Sequence, residues 1–319
     1  MKTIINKLQA RKALLTLVAA ALAAALLFVP AGCGNDDEGN GVLRVAADIM
    51  PMADFCRCVG GDLVEVEMLI PAGASPHSYE LTTEQMRFLA GADILVINGF
   101  GLTPWAEEVF DKVDNADMVR VAAAEEVPES ELISAGGEGE KQEGGNGAYN
   151  PHVWLDPELA VRQVEAVRDG MIEADPDNRE TFEENAEAYI EGLEQLDVYV
   201  EGQVAAFTSK KFVSFHPAWS YFARRYELEQ VGAVEELPGK EPGAGEIADL
   251  VDLMRAEGVK VIFTEPQLNP KAAEVIAEEA GSDVLIRSLD PLGDPEDTEK
   301  DTYIEMMKYN VGIMAEVME

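Results

Sequence analysis

The chain is poor in histidine, cysteine and positive charge. Its 319 residues include three His and three Cys, and 24 Lys and Arg stand against 61 Asp and Glu, for a formal net charge of −37. A surface this acidic repels nucleic acid and anionic lipid, so we expect no nucleic-acid partner. Cys56 and Cys58 are two residues apart in a predicted helix, where their side chains point to different faces. We therefore predict two thiols rather than a strained disulfide.

The three histidines are spread along the chain, and each is next to a proline. They are His77, His152 and His216, beside Pro76, Pro151 and Pro217. Histidine is the commonest neutral metal ligand, and a flanking proline fixes the backbone so that little entropy is lost on binding. If the fold brings the three rings together, they form a transition-metal site. If it does not, they are ordinary core or turn residues.

The N-terminus has the features of a secretory signal. A basic start is followed by the apolar run 13–30 and by the small residues Ala-Gly before Cys33. This ending resembles the lipobox of bacterial lipoproteins, in which the cysteine becomes a lipidated N-terminus, although Pro30 departs from that pattern. We predict a signal peptide at 1–32 and a lipidated tether at 33–41. A transmembrane anchor is the alternative, because about 18 apolar residues can span a bilayer.

Apolar periodicity predicts strands that alternate with helices in both halves of the chain. The predicted strands are 42–47, 64–70, 92–98, 211–215, 259–264 and 284–289, and the predicted helices are 52–59, 83–90, 157–174, 178–207, 247–257, 272–280 and 302–318. Asp156 is the expected N-cap of the third helix, with Pro157 as its first residue. This alternation is typical of parallel sheets and of the α/β class.

The predicted helix at 178–207 is the longest element. About 30 helical residues would span roughly 45 Å, which exceeds the width of a small domain. We therefore predict that it links two domains, an N-terminal α/β lobe at 42–177 and a C-terminal α/β lobe at 208–319. Segment 124–149, which is rich in Glu and Gly, interrupts the first lobe and is predicted to be an exposed, solvated loop.

The candidate ligands lie where α/β sheets bind their ligands, which is beyond the carboxyl ends of strands. His77, His216 and Asp290 are on or just past the ends of predicted strands, and His152 precedes a predicted helix. These positions favour one shared site to which both halves of the chain contribute.

Six segments resemble, in order, the motifs of the metal-type solute-binding proteins of bacterial ABC transporters. They are PAGASPHSYE (71–80), NGFGLTPW (98–105), NPHVWLDP (150–157), FHPAWSYF (215–222), FTEPQ (263–267) and LDPLG (289–293). The resemblance covers essentially the whole chain after the signal peptide. It implies two (β/α) lobes with parallel sheets, joined by one long rigid backbone helix, with a metal in the cleft between them.

The resemblance also implies a ligand set. His77 and His152 would come from the N-terminal lobe, and His216 and Asp290 from the C-terminal lobe. Glu265 is a candidate outer partner, since ligating histidines usually donate their other N–H to a carboxylate or carbonyl. A residue that satisfies loop amides at a strand end is the other interpretation of Glu265.

The donor set indicates zinc. Family members with Glu at the third position tend to handle manganese, whereas His216 resembles the zinc-type set. Imidazole suits Zn²⁺ and an oxygen-rich set suits Mn²⁺, and four protein ligands would close a tetrahedral shell. We expect Zn²⁺ as the transported ligand, with Mn²⁺ or Fe²⁺ as the alternative within the family.

The sequence predicts a binding protein rather than an enzyme. We expect a monomeric lipoprotein, outside the cytoplasmic membrane on the periplasmic side or cell surface, that delivers zinc to the membrane permease of an ABC transporter. A secreted zinc metallohydrolase with three histidine ligands is an alternative, because catalytic zinc keeps an open position. The chain has no His-Glu-x-x-His helix and no Ser or Cys in a nucleophile elbow. An adhesin is a further alternative.

Overall fold

The computed structural model describes residues 41–106, 109, 113, 115–135 and 148–319. The predicted signal peptide at 1–32, the lipidation site Cys33 and residues 34–40 of the tether lie outside the described residues, as do residues 136–147 of the acidic loop. Within the described ranges, no helix combines the length and the apolar character needed to span a bilayer.

Two four-stranded parallel sheets, one in each half of the chain, organise the described residues. The first half contains β1 (Leu43–Ala47), α1 (Met50–Gly60), β2 (Val64–Met68), α2 (Thr83–Leu89), β3 (Ile94–Ile97), β4 (Val119–Ala122) and α3 (Pro157–Ala174). Then follow α4 (Arg179–Val204), β5 (Lys211–Ser214), α5 (Ser220–Arg225), β6 (Glu229–Ala233), α6 (Ala244–Glu257), β7 (Val261–Thr264), α7 (Lys271–Ala280), β8 (Leu285–Ser288) and α8 (Tyr303–Met318). The strand orders are β2-β1-β3-β4 and β6-β5-β7-β8. The predicted two-lobed α/β fold is confirmed.

The apolar pattern misses β4 and β6, which are both edge strands. Their sequences, VRVA and EQVGA, are short and carry polar residues or glycine. An edge strand pairs on one side only, so it needs less apolar surface than a central strand such as β3, which is buried at every position. Each of these strands is held in its sheet by parallel pairing with one neighbour. Strand β4 pairs with β3, and strand β6 pairs with β5.

Helix α4 carries the packing that joins the two lobes. It has 26 residues, about 39 Å of helix at 1.5 Å per residue, and so matches the predicted long helix closely. Its buried stripe consists of Phe182, Ala186, Leu193, Leu196, Val200 and Val204. This stripe belongs to one hydrophobic core that also contains Val45 of β1 and Phe212 of β5. Because this core reaches both sheets, packing holds the two lobes together.

Asp48 ties the end of β1 to the end of β3. Its side chain is fully buried, with Oδ1 accepting from the Ile49 N–H at 2.8 Å and Oδ2 from the Asn98 N–H at 2.9 Å. Burial raises the pKa of this carboxyl to about 7, although the hydrogen bonds act in the opposite direction. The folded protein therefore keeps a proton on Asp48 at pH values where the unfolded chain has lost it. The stability from this group is present below about pH 4 and is lost as the pH rises toward 7.

Replacing Asp48 with Asn is expected to remove this pH dependence. The unfolding free energy of the variant minus that of the wild type should increase by a few kcal/mol between about pH 4.5 and 7.5, since one pKa unit corresponds to about 1.4 kcal/mol. The amide leaves one backbone N–H without an acceptor, which lowers stability equally at each pH and leaves the slope unchanged. Urea unfolding of both metal-free proteins measures this difference, and parallel profiles would contradict the assignment.

Candidate metal centre

The three histidines occupy loops that the neighbouring elements hold in place. His77 lies in the segment between β2 and α2, directly after the buried Pro76. His216 lies two residues after the end of β5. His152 precedes a short turn of 3₁₀ helix that leads into α3. Asp156 accepts from the Glu158 N–H at 3.0 Å, which confirms its predicted role as the N-cap of α3.

The fold brings the three imidazole rings together. Their centroids are 5.3 Å apart for His77 and His152, 5.5 Å for His77 and His216, and 4.8 Å for His152 and His216. One nitrogen from each ring lies within 4.8 Å of the other two, and the Nε2 atoms of His152 and His216 are 3.0 Å apart. Two nitrogens on a tetrahedral zinc are about 3.3 Å apart, so the His152–His216 pair is already close to this spacing and His77 must move inward to complete it.

A polar oxygen lies beside Nδ1 of each of two rings, whose Nε2 atoms face each other. Nδ1 of His152 lies 2.8 Å from Oδ1 of Asn150, and Nδ1 of His216 lies 2.7 Å from Oε1 of Glu265. Since the amide oxygen of Asn150 accepts, Nδ1 of His152 is a donor and its Nε2 carries a lone pair. Nδ1 of His216 is close to the Glu265 carboxylate but does not have the geometry of a hydrogen bond to it. Either a proton or a metal ion between the two Nε2 atoms, which are 3.0 Å apart, removes the repulsion between their lone pairs. Donation from Nδ1 to an outer acceptor is also the usual state of a metal-binding histidine.

Burial keeps two of these rings neutral. It lowers the pKa of His77 to about 3, with a further contribution from the neighbouring His216. Burial likewise holds the pKa of His152 well below its usual value, and His216 and His77 act in the same direction. Nε2 of His77 is buried and has no hydrogen-bond partner among the described residues. A neutral imidazole with a free lone pair is the form that binds a metal ion.

Asn150 connects the two sides of the cluster. Its Oδ1 accepts from both Nδ1 and the backbone N–H of His152, and its Nδ2 donates to the carbonyl of Pro217 at 2.6 Å. The Tyr221 hydroxyl donates to the Asn150 carbonyl at 2.9 Å. Pro217 follows His216 directly, so one buried amide connects histidines from both lobes.

Asp290 lies near the cluster but is already fully engaged. Its Oδ1 accepts from Nε2 of Gln267 at 3.0 Å and from the backbone N–H groups of Leu292 and Gly293. Its Oδ2 accepts from Nζ of Lys300 at 2.7 Å. Gln267 and Leu292 line the small cavity that holds the three histidines. Among the described residues, the group of side chains close enough to share a metal ion consists of the three histidines and does not include Asp290.

Comparison with known families gives the same picture. A model of the ZnuA family, described as the periplasmic component A of a zinc-uptake complex, matches residues 45–317. The chain belongs to this family. The resemblance to metal-type solute-binding proteins is therefore confirmed.

Individual relatives of this ZnuA-family chain bind two different metals. The zinc-binding lipoprotein AdcA of Streptococcus pneumoniae is 33% identical over 294 residues, which are 89% of this chain and 57% of AdcA. The chain therefore spans little more than half of that relative. The manganese-binding lipoprotein MntA of Halalkalibacterium halodurans is 27% identical over 90% of this chain and 93% of MntA. A crystal structure of ZnuA superposes with a TM-score of 0.75 at 31% identity, covering 87% of this chain and 100% of that chain.

Two residues around the site of this family member escape prediction from the sequence. Asn150 is next to the Pro-His pair, and its closeness to His152 is the signal that would have found it. Lys300 lies in the acidic run 294–301, where one lysine among carboxylates indicates an exposed ion pair rather than a buried one. Its side chain is only 15% exposed.

Proposed function

We propose that this chain captures Zn²⁺ outside the cytoplasmic membrane and delivers it to the permease of a metal ABC transporter. The observation that carries the proposal is the convergence of three imidazoles, with one ring nitrogen from each within 4.8 Å of the other two and the Nε2 atoms of His152 and His216 3.0 Å apart. Imidazole nitrogen suits zinc better than manganese, which favours oxygen ligands. The description of the family as a zinc-uptake component and the zinc-binding name of AdcA support the same metal.

We propose His77, His152 and His216 as three nitrogen ligands and Asp290 as the fourth ligand. Asp290 can reach the metal only after it gives up part of its present hydrogen bonding with Lys300 or Gln267. Glu265 is the proposed outer partner of His216, because the two side chains are 2.7 Å apart. Four protein ligands would hold zinc as cargo, without the open position that catalysis needs.

The proposal extends to the location and organisation of the chain. We propose a monomer with a signal peptide at 1–32 and a membrane anchor on Cys33 within the tether 33–41. The names of AdcA and MntA include the word lipoprotein, which supports this anchor. The proposed lobes are 42–177 and 208–319, with 178–207 as the linking helix.

Titration of chelator-stripped protein with Zn²⁺ and Mn²⁺, against a competing fluorescent chelator, tests this function. We expect one Zn²⁺ per chain with a dissociation constant of about 1 nM or below, and much weaker Mn²⁺ binding. Equal or tighter binding of Mn²⁺ would reject the zinc assignment. A stoichiometry near zero would reject the site itself.

Manganese is the second candidate cargo. The match to MntA over almost its whole length favours it. Three imidazoles and one carboxylate are within the range of ligands that manganese accepts, although imidazole is not its preferred donor. The same titration decides between the two metals. A phosphatase and esterase screen with and without Zn²⁺ tests the metallohydrolase alternative, and we expect no zinc-dependent turnover.

A further inference from the structure

The ion pair between the partly buried Lys300 and the buried Asp290 lies next to Pro291 and Leu292, which line the cavity of the three histidines. The two side chains are 15% and 5% exposed, and Nζ lies 2.7 Å from Oδ2. The other oxygen of Asp290 accepts three hydrogen bonds, from Gln267, Leu292 and Gly293. Neither carboxylate oxygen is therefore free to move to a metal without losing a partner.

The backbone around Lys300 directs its side chain toward Asp290. The turn at 294–300 is closed by the Asp294 N–H, which donates to the Lys300 carbonyl at 3.1 Å. Gly293 has a φ of +70°, and a Cβ at that position would lie 2.7 Å from the Lys300 carbonyl oxygen and 2.1 Å from Cε of Met50. Only glycine accepts both this dihedral and this contact. The close packing against Gly293 fixes the position from which Lys300 reaches Asp290.

We propose that Lys300 is a positioning residue that sets the metal specificity of the site by holding Asp290 away from the histidines. This inference rests on the proposed metal-binding function. An ion that recruits Asp290 must displace the ammonium group, which among the described residues then keeps only the more distant carboxylate of Asp297, at 3.9 Å, as an ion-pair partner. Losing the closer partner is costly for a largely covered charge. Three imidazoles supply most of the zinc affinity, and Asp290 completes the shell at a smaller net gain. Manganese depends more on oxygen ligands, so the cost falls mainly on manganese.

Replacing Lys300 with Met tests this role, with Zn²⁺ and Mn²⁺ dissociation constants as the readout. Asp290 loses its counter-charge and becomes available, so Mn²⁺ binding should tighten by roughly tenfold or more and Zn²⁺ binding by less than about threefold. The ratio of the Mn²⁺ dissociation constant to the Zn²⁺ dissociation constant should therefore become smaller. Lys300→Arg keeps the ion pair and should retain the wild-type ratio.

Lys308→Met is the matched control for charge. Lys308 is more exposed, pairs with Glu305 at 2.9 Å and lies in α8, so its loss removes the same charge without freeing Asp290. We expect no change in the ratio. In an Asp290→Asn background, Lys300→Met should also leave the ratio unchanged, because the lysine acts through that carboxylate.

Three results would overturn the proposal. One is an unchanged ratio in Lys300→Met, and another is a narrowed ratio that persists in the Asp290→Asn background. If circular dichroism shows that Lys300→Met does not fold, the comparison of Lys300→Gln with Lys300→Arg gives the same test. The third contradicting result is then an equal ratio of the two dissociation constants in these two variants. If the wild type binds no metal, the proposed function fails as well. Wild-type zinc binding with an unaltered ratio refutes only the role of Lys300.

Discussion

Replacing His152 with Ala is expected to weaken Zn²⁺ binding by more than about 100-fold, beyond the loss that an outer partner of a ligand causes. His152 is 4% exposed, and its Nε2 lies 3.0 Å from Nε2 of His216, so it is central to the cluster. Without it, two imidazoles and a carboxylate bound to Lys300 remain. Competition titration with a fluorescent zinc chelator measures the change.

Asn150→Ala is the graded control for this experiment. It keeps all three rings but removes the acceptor of His152 Nδ1 and the donor to the Pro217 carbonyl. We expect zinc affinity to fall by about 10- to 100-fold, because the ring loses its fixed tautomer and orientation. A loss below about tenfold in His152→Ala, or a larger loss in Asn150→Ala than in His152→Ala, would contradict the ligand assignment.

Replacing Trp154 with Ala is expected to lower the unfolding free energy of the metal-free protein by about 3–5 kcal/mol. The Trp154 side chain is fully buried, and its ring centroid is 5.3 Å from that of His152. Its Nε1 donates to the Pro291 carbonyl at 2.7 Å, and its own carbonyl accepts from the Tyr303 hydroxyl at 2.6 Å. The substitution leaves a cavity where the two lobes meet beside the metal site.

Trp154→Phe separates volume from hydrogen bonding. It keeps an aromatic ring in the space but leaves the Pro291 carbonyl without its donor, so we expect a smaller loss of about 1–3 kcal/mol. Urea unfolding after chelator treatment is the measurement, because bound metal stabilises the folded state by mass action and would mask the effect. A loss below about 1 kcal/mol for Trp154→Ala would show that this packing is dispensable.

Local structure was largely predictable because neighbouring residues determine it. The predicted helix at 178–207 corresponds to α4 at Arg179–Val204, and the expected cap at Asp156 is present. Thr82, the N-cap of α2, forms a capping box with Gln85 in the first turn of that helix. The edge strands β4 and β6 were missed, because their pairing partners, rather than their own apolar residues, stabilise them.

The surroundings of the carboxylates were harder to predict. Glu265 was a candidate partner of a histidine, and the structure places it 2.7 Å from His216. Asp290 was expected to face the metal, but in the structure its Oδ2 accepts from Lys300. Ten residues separate Asp290 and Lys300, with a turn between them whose path depends on the close contact at Gly293. No periodicity in the sequence reports such a contact.

The sequence by itself determined the candidate donor side chains, the lobe class and the order of the main elements. Three proline-flanked histidines are a property of composition and spacing, and strand–helix alternation arises from local apolar patterns. The tertiary structure decided that the rings converge, that Nε2 of His152 faces Nε2 of His216, and that Lys300 pairs with Asp290. His152 and His216 are 64 residues apart, so only packing of the two lobes on the shared core of α4 brings them within 3.0 Å. Such long-range contacts depend on the whole core, whereas donor chemistry depends on single residues.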